Sequence, residues 1–285
     1  SYECSYMDGE LSETQKISVM TLIFKKIDRS LFKYYRPITL SNTDYKIVAY
    51  IFVQRLQLVI SKLISDEQTA YIKGRFIGEN VRMLLDVMDY CQSSESPGIL
   101  LFLDFKKAFD SLNWVFIKSC LEKFGFNDKF LNWFKTLYSK PVAFVKINNT
   151  LSKGVHINQG IKQGCPLSAL IFIICTEILC LAIKQNNKIK GIQLPENTEV
   201  RISQYADDTC LFLENEESVK EALKCVSSFS AVSGLQLNID KTEGLKIGPL
   251  SEAKVDIDSR IKFSKETIKY LGIWIGLDQI ECNNR

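Results

Sequence analysis

The chain has 285 residues, 46% of them hydrophobic and 24% charged, with a formal net charge of +3. That composition supports a sizeable folded core and excludes a disordered or collagen-like polymer. A single histidine, His156, rules out a His-rich zinc site and weighs against a Ser-His-Asp triad, and the nine cysteines form no Cys-x-x-Cys pair, so they read as reduced core residues. No uninterrupted apolar run reaches the roughly 18 residues of a membrane span. Residues 167 to 183 come nearest and are broken by Glu177.

In chain order, an apolar run at 19 to 24 is followed by Lys25, Lys26, Arg29, Lys33 and Arg36. Residues 16 to 82 hold 12 Lys and Arg against 5 Asp and Glu, so the basic surplus sits in the N-terminal third. Such a lobe suits phosphate backbone, or is a solvated helical face. Asn42 and its neighbours are helix caps for a pattern of Val48, Phe52, Leu56, Val59 and Leu63, which predicts a helix to about Ile64. Residues 66 to 78 read as a loop, and 79 to 90 resume helical spacing. The polar stretch 92 to 98 reads as a joint.

Residues 99 to 103, Ile-Leu-Leu-Phe-Leu, form a continuous apolar run, the pattern of a strand buried on both faces. Helices follow from Trp114 to Gly125 and from Asn127 to Pro141. Strands are expected at 142 to 147 and 155 to 157, then an apolar helix from Ser168 to about Ile183. A further helix ends at Gly234, and strands at 243 to 247 and 268 to 275 complete the series. Strands, hairpins and helices interleave as in an α+β fold.

Chemistry concentrates in three carboxylates. Asp207 and Asp208 lie between two short β-prone runs, which reads as a hairpin turn. Asp104 closes the buried strand. If the elements pair, oxygens from both can reach shared Mg²⁺, whose usual protein donors are one or two carboxylates. Two such ions about 4 Å apart clamp the attacking and leaving oxygens of a phosphoryl displacement. Taken singly, an Asp-Asp turn is also ordinary solvated turn chemistry, and an Asp after a strand also caps a helix.

Further blocks stand in series with these: Arg36-Pro37-Ile38, Asp104-Phe105-Lys106-Lys107-Ala108-Phe109-Asp110, Gln163-Gly164-Cys165-Pro166-Leu167-Ser168, Asn238-Ile239-Asp240-Lys241-Thr242 and Tyr270-Leu271-Gly272. In this order and spacing the chain resembles the reverse transcriptase domain of non-LTR (LINE-type) retrotransposons, from about residue 20 to 276. The resemblance implies a right-hand α+β polymerase with a ferredoxin-like palm. Residues 1–96 would be fingers and 97–276 palm, with 145–200 partly a connection between them. Residues 277–285 would open a thumb that is mostly missing.

The resemblance also implies roles. Asp104, Asp207 and Asp208 would hold two Mg²⁺, with Mn²⁺ as a substitute. Arg36, Phe105, Phe109, Gln163 and Lys241 would face the incoming nucleotide, and Lys73, Arg75, Tyr270 and Gly272 the nucleic acid. Phe109 would be the steric gate against a ribose 2′-hydroxyl; its other reading is a core ring. Lys241 would sit near the leaving diphosphate, or be one more surface lysine. Asp110 is better explained as a helix cap. Ala169 departs from the proline that often follows the serine in this family.

The implied reaction is RNA-templated DNA synthesis. Its partners would be an RNA template, a DNA primer and deoxynucleoside triphosphates, with no membrane, in a nuclear and cytoplasmic ribonucleoprotein. The alternatives are a maturase-like palm polymerase and an inactive RNA-binding remnant. Beginning at Ser1 and ending soon after Gly276, the chain is expected to be a piece of a longer product, lacking an endonuclease and extending primers weakly.

Overall fold

The computed structural model describes residues 2–25, 27–251, 257–264 and 267–276. The expected thumb segment, 277–285, lies outside the described residues. The chain folds as two compact units that interleave in sequence. The first takes residues 1–63 and 109–174, the second 64–108 and 175–285. Contacts therefore do not divide the chain at residue 96. The physical reason is the helix Ile77–Ser93, whose Leu84, Val87, Met88 and Cys91 are buried in the core of the sheet that contains Gly98–Leu103.

In the first unit, the strand Ile17–Phe24 pairs antiparallel with Tyr35–Ser41 and parallel with Val142–Ile147. The last strand turns through Asn148 and Asn149, both at positive φ, into Thr150–Leu151, and pairs at its other end with Val155–His156. The helix Thr43–Gln57 starts where Asn42 accepts a hydrogen bond from Asp44 N–H at 2.9 Å, and it buries Tyr45, Val48, Ala49, Phe52 and Leu56 at helical spacing. It stops short of the expected Ile64. The amides of Leu58 and Val59 bond to oxygens three residues back, which tightens and ends the helix before a separate turn, Ile60–Leu63. Trp114–Lys123 and Asp128–Leu137 begin at side-chain caps from Asn113 and Asn127.

In the second unit, five strands run in the order Ile202–Tyr205, Asp208–Leu213, Gly98–Leu103, Glu243–Ile247, Lys262–Ser264. All pairs are antiparallel except the last. Gly98–Leu103 is central and buried at every residue, as its unbroken apolar run predicts. Leu100 and Phe102 join Cys210, Phe212, Leu245 and Ile247 beneath the helix Ile77–Ser93. Glu216–Ser233 packs against the same two central strands, opens at an Asn215 cap and ends at Gly234 in the left-handed conformation. Thr267–Tyr270 and Ile273–Gly276 form a separate hairpin.

The expected apolar helix is Pro166–Gln185, and even with Glu177 within it the helix is, by length and composition, long and apolar enough to cross a membrane. Most of it is buried within the protein. Glu177 is accommodated there because it accepts a 2.6 Å hydrogen bond from Ser65 Oγ; burial pushes its carboxyl above the usual range.

The central strand should dominate the stability of the second unit. Leu101→Ala leaves a cavity in a fully buried layer, at a cost of about 2–5 kcal/mol. Urea unfolding should show the midpoint falling accordingly, whereas Val115→Ala, at a mostly exposed position, should leave it almost unchanged.

Candidate active site

The carboxylates meet at one end of the second unit's sheet. Thr209 pairs with Leu103, so the next step of the same antiparallel register sets Asp208 opposite Asp104. Tyr205 pairs with Asp208, which leaves Ala206 and Asp207 as the turn. Ala206 takes φ +57°, a left-handed conformation that costs a residue with a Cβ about 1–2 kcal/mol. On the other side of Asp104, Glu243 pairs with Phe102, and two more steps of that register reach Lys241. Lys241 Nζ lies 4.0 Å from Asp104 Oδ2.

Asp104 is held at both backbone and side chain. Its carbonyl accepts from Asn238 N–H at 2.7 Å, and its Oδ2 accepts from Asn238 Nδ2 at 2.8 Å. The two-residue ladder Phe105–Lys106 with Gln236–Leu237 brings these segments together. Asn238 is thus a site residue the sequence reading missed. Its signal was its place at the head of the Asn238-Ile239-Asp240-Lys241-Thr242 block.

Electrostatically the site is crowded with negative charge. Asp208 lies at the surface, yet its carboxyl is pushed up to about 6, first by desolvation and then by the charges of Asp207 and Asp104. The donor set suits a hard divalent cation, because it is all carboxylate oxygen. The mutual repulsion it relieves is also present. Even so, among the described residues no three His, Cys, Asp or Glu side chains are gathered closely enough to hold an ion as they stand. One oxygen of Asp104 is instead engaged by Asn238 and faced by Lys241.

The other expected site residues fall into two sets. Arg36 is exposed on Tyr35–Ser41, opposite Ile23. Gln163 lies against that strand, where its carbonyl accepts from Thr39 N–H at 2.7 Å. Gly164 has φ +108°, and a Cβ there would sit 2.8 Å from Thr39 O, so only a glycine lets the two backbones approach this closely. Gln163 Nε2 donates to Asp110 Oδ1 at 3.0 Å, which gives Asp110 a partner other than the helix cap expected of it. Phe109 is half-buried and stacks on Phe172, with centroids 4.6 Å apart and planes 9° apart. One ring face is therefore packed, and both the core and the gate reading keep a physical basis. These residues belong to the first unit and the carboxylates to the second.

Three expectations need correction. Phe105 is 7% exposed, because strand alternation turns it inward and Lys106 outward, so its ring is not offered to a nucleotide. Arg75 is not free for nucleic acid. Its guanidinium donates to the carbonyls of Ile64, Ser65 and Gln68 and to Asp66 Oδ1. Tyr270 is buried against Phe102, and burial holds its phenol above its ordinary range. Gly272, at φ +88°, makes the hairpin turn after it, so its place there is set by the turn. Lys73 is exposed near the tip of its loop.

With this geometry in hand, comparison with known proteins is direct. The family model described as reverse transcriptase (RNA-dependent DNA polymerase) matches residues 24–275. The chain belongs to that family. It is similar to the transposon TX1 uncharacterized 149 kDa protein of Xenopus laevis, 32% identical over 281 residues, which cover 96% of this chain and 21% of the relative. It is 24% identical over 270 residues to a Pol polyprotein of the type-1 retrotransposable element R2 from Popillia japonica, covering 90% of this chain and 37% of that protein. This reverse transcriptase domain therefore spans about a fifth to two fifths of these relatives, and the non-LTR resemblance drawn from the motifs is borne out. Among solved structures, a telomerase from Candida tropicalis in complex with a telomeric RNA fragment superposes with a TM-score of 0.64 at 16% identity, over 98% of this chain and 47% of that one. Apo telomerase from the same organism gives 0.62 at 14% identity, over 95% and 49%. The mixed α/β fold is shared with both.

The charge crowding has a measurable consequence. A carboxyl raised from 3.8 to about 6 destabilises the folded state increasingly as pH rises between those values, and the penalty levels off above the upper one. Without divalent cations, Asp208→Asn should therefore raise Tm at pH 7.5 by a few degrees, roughly the shift that ~1 kcal/mol gives. The gain should vanish near pH 4, and Mg²⁺ should raise the wild-type Tm more than that of the variant. Differential scanning fluorimetry across pH checks all three.

Proposed function

We propose that this domain carries out RNA-templated DNA synthesis, joining a primer 3′-hydroxyl to the α-phosphorus of a deoxynucleoside triphosphate with release of diphosphate. The observation that carries the reading is the meeting of Asp104 with the Ala206-Asp207-Asp208 turn at one sheet end in a chain of this family. Asp104 and Asp207 would hold two Mg²⁺ or Mn²⁺, with Asp208 completing the negative field. When bound, such ions supply Lewis acidity at the phosphate and lower the pKa of the attacking hydroxyl.

The protein's own groups do the rest. Asn238 fixes one oxygen of Asp104, and the other would be the one to hold an ion. The exposed ammonium of Lys241 stands beside the carboxylates, where it can neutralise charge on the departing diphosphate or donate a proton to it. Arg36 is exposed and suited to triphosphate oxygens. The exposed part of Phe109 would meet the sugar, with Phe172 fixing the ring behind it. Lys73 and other basic residues of the N-terminal third would hold phosphate backbone. In subdomain terms, residues 1–96 would act as fingers and 97–276 as palm, with the helix Ile77–Ser93 of the former packed on the palm sheet that carries the carboxylates. RNA as template is supported by the family match.

Primer extension on poly(rA)·oligo(dT) with Mg²⁺ or Mn²⁺ tests the reading. Asp207→Asn should abolish extension, and equal extension by both proteins would overturn the assignment. In the same assay, Phe109→Val should improve incorporation of ribonucleotides relative to deoxynucleotides by about tenfold or more, the scale on which small contacts discriminate substrates. Unchanged selectivity would return Phe109 to the core.

A further inference from the structure

Between the turn Ile60–Leu63 and the helix Ile77–Ser93, the chain forms a loop in which two polar residues, Gln68 and Thr69, are buried rather than solvated. Gln68 has no exposed surface, and Thr69 is 6% exposed. The loop adds itself to the edge strand Ile202–Tyr205. Gln204 N–H donates to Glu67 O at 2.8 Å, and Thr69 N–H donates to Gln204 O at 3.1 Å, which makes a one-residue parallel bridge between Gln68 and Gln204. Asn80 Nδ2 reinforces the join with bonds to Ser203 Oγ at 2.8 Å and Gln204 O at 3.0 Å.

The side chain of Gln68 then reaches past the end of that strand to the turn itself. Its Oε1 accepts from Ala206 N–H at 2.9 Å and from Ala70 N–H at 3.0 Å, and its Nε2 lies 3.4 Å from Ala206 O. The amide group thus takes the place that a further paired residue would occupy, satisfying both backbone polar groups of Ala206. Ala206 is the residue held in the left-handed conformation, and Asp207 is the next one along. A turn of Ala and Asp has no intrinsic reason to stay there, because L residues with a Cβ disfavour that region. Arg75 keeps the clamp closed. Its guanidinium ties the carbonyls of Ile64, Ser65 and Gln68 together at 2.6 to 2.9 Å.

We propose that Gln68 is a positioning residue for nucleotidyl transfer. It fixes the backbone of Ala206, and so the aim of the Asp207 and Asp208 carboxylates, while Arg75 locks the loop that presents it. The proposal rests on the polymerase reading for its catalytic consequence, though not for its geometry. An amide suits the task because it offers an acceptor and a donor without adding charge beside the carboxylates. Misplacing reacting groups by about 1 Å costs on the order of 100-fold in rate, so a loosened turn should register in kcat.

The test compares wild type, Gln68→Met, Gln68→Glu, Arg75→Lys, the double variant Gln68→Met with Ala206→Gly, and Val87→Ala as a core control matched for Tm loss. Three quantities are read: hydrogen exchange at the Ala206 amide, the Mn²⁺ concentration at half-maximal Tm shift, and kcat and KM for the deoxynucleotide. Gln68→Met should speed Ala206 exchange by about tenfold or more beyond any change at Leu101. It should also raise the Mn²⁺ midpoint, and lower kcat by about 10- to 100-fold with KM little changed. Gln68→Glu keeps the acceptor and should recover Ala206 protection. Glycine at 206, which adopts the turn without help, should recover part of kcat. Arg75→Lys should act in the same direction as Gln68→Met, more weakly. Ala206 exchange and a Mn²⁺ midpoint that do not move in Gln68→Met would overturn the proposal, as would an equal loss in Val87→Ala. A wild-type chain that extends no primer would count against the polymerase reading, while exchange and Mn²⁺ binding would still judge the clamp.

Discussion

Backbone pairing between Gly98–Leu103 and Asp208–Leu213 forces carboxylates that repel one another to share one end of a sheet, and the rest of the second unit is organised around that constraint. The pairing is secured by apolar burial, which has nothing to do with charge. Leu100, Phe102, Cys210 and Phe212 are committed to the core beneath Ile77–Ser93, and a slip of one residue would turn each to the wrong face. Register is therefore set by the greasy middle of the strands, and the acidic ends must follow. Sites where local chemistry opposes the fold are where function is expected.

Around the acidic end, the compensating groups are chosen for restraint. Asn238 bonds Asp104 through a neutral amide, and Gln68 bonds Ala206 through another. Lys241 stands at 4.0 Å, at the outer limit of an ion pair, on an exposed side chain. A tight, buried lysine in its place would cancel the field of the carboxylates and compete with any cation they bind. Neutral amides fix position without spending that field. The strong guanidinium of Arg75 is directed at carbonyl oxygens of the loop rather than at the carboxylates.

Much of this was legible in the sequence, and the reasons are physical. An unbroken apolar run such as 99 to 103 has one good solution, a strand covered on both faces, and Gly98–Leu103 takes it. Caps at Asn42 and Asn127 and the left-handed Gly234 state helix ends locally. The acidic pair between two β-prone runs marked the turn. What failed was any reading that assigned a side chain's direction from its motif alone. Phe105 and Tyr270 sit in family-like blocks, but strand alternation and the packing of Phe102 turn them inward. Arg75 had the charge for phosphate, yet the carbonyls that capture it are those of 64, 65 and 68, which only a closed loop brings together.

Asn238 and Gln68 were illegible for a different reason. Their partners lie 134 and 138 residues away, and neither residue carries a charge or a spacing that points to the other end of the bond. A carboxylate declares its chemistry wherever it stands, whereas a neutral amide acquires meaning only from the groups placed opposite it. In this site the charged residues can be found by their chemistry, but the groups that aim them cannot. Those groups are identified by asking which buried polar atoms touch the backbone of a catalytic turn. Ala206 answers that question most directly: its unfavourable φ needs an external restraint, and the one side chain whose amide addresses both its N–H and its C=O, among the described residues, is Gln68.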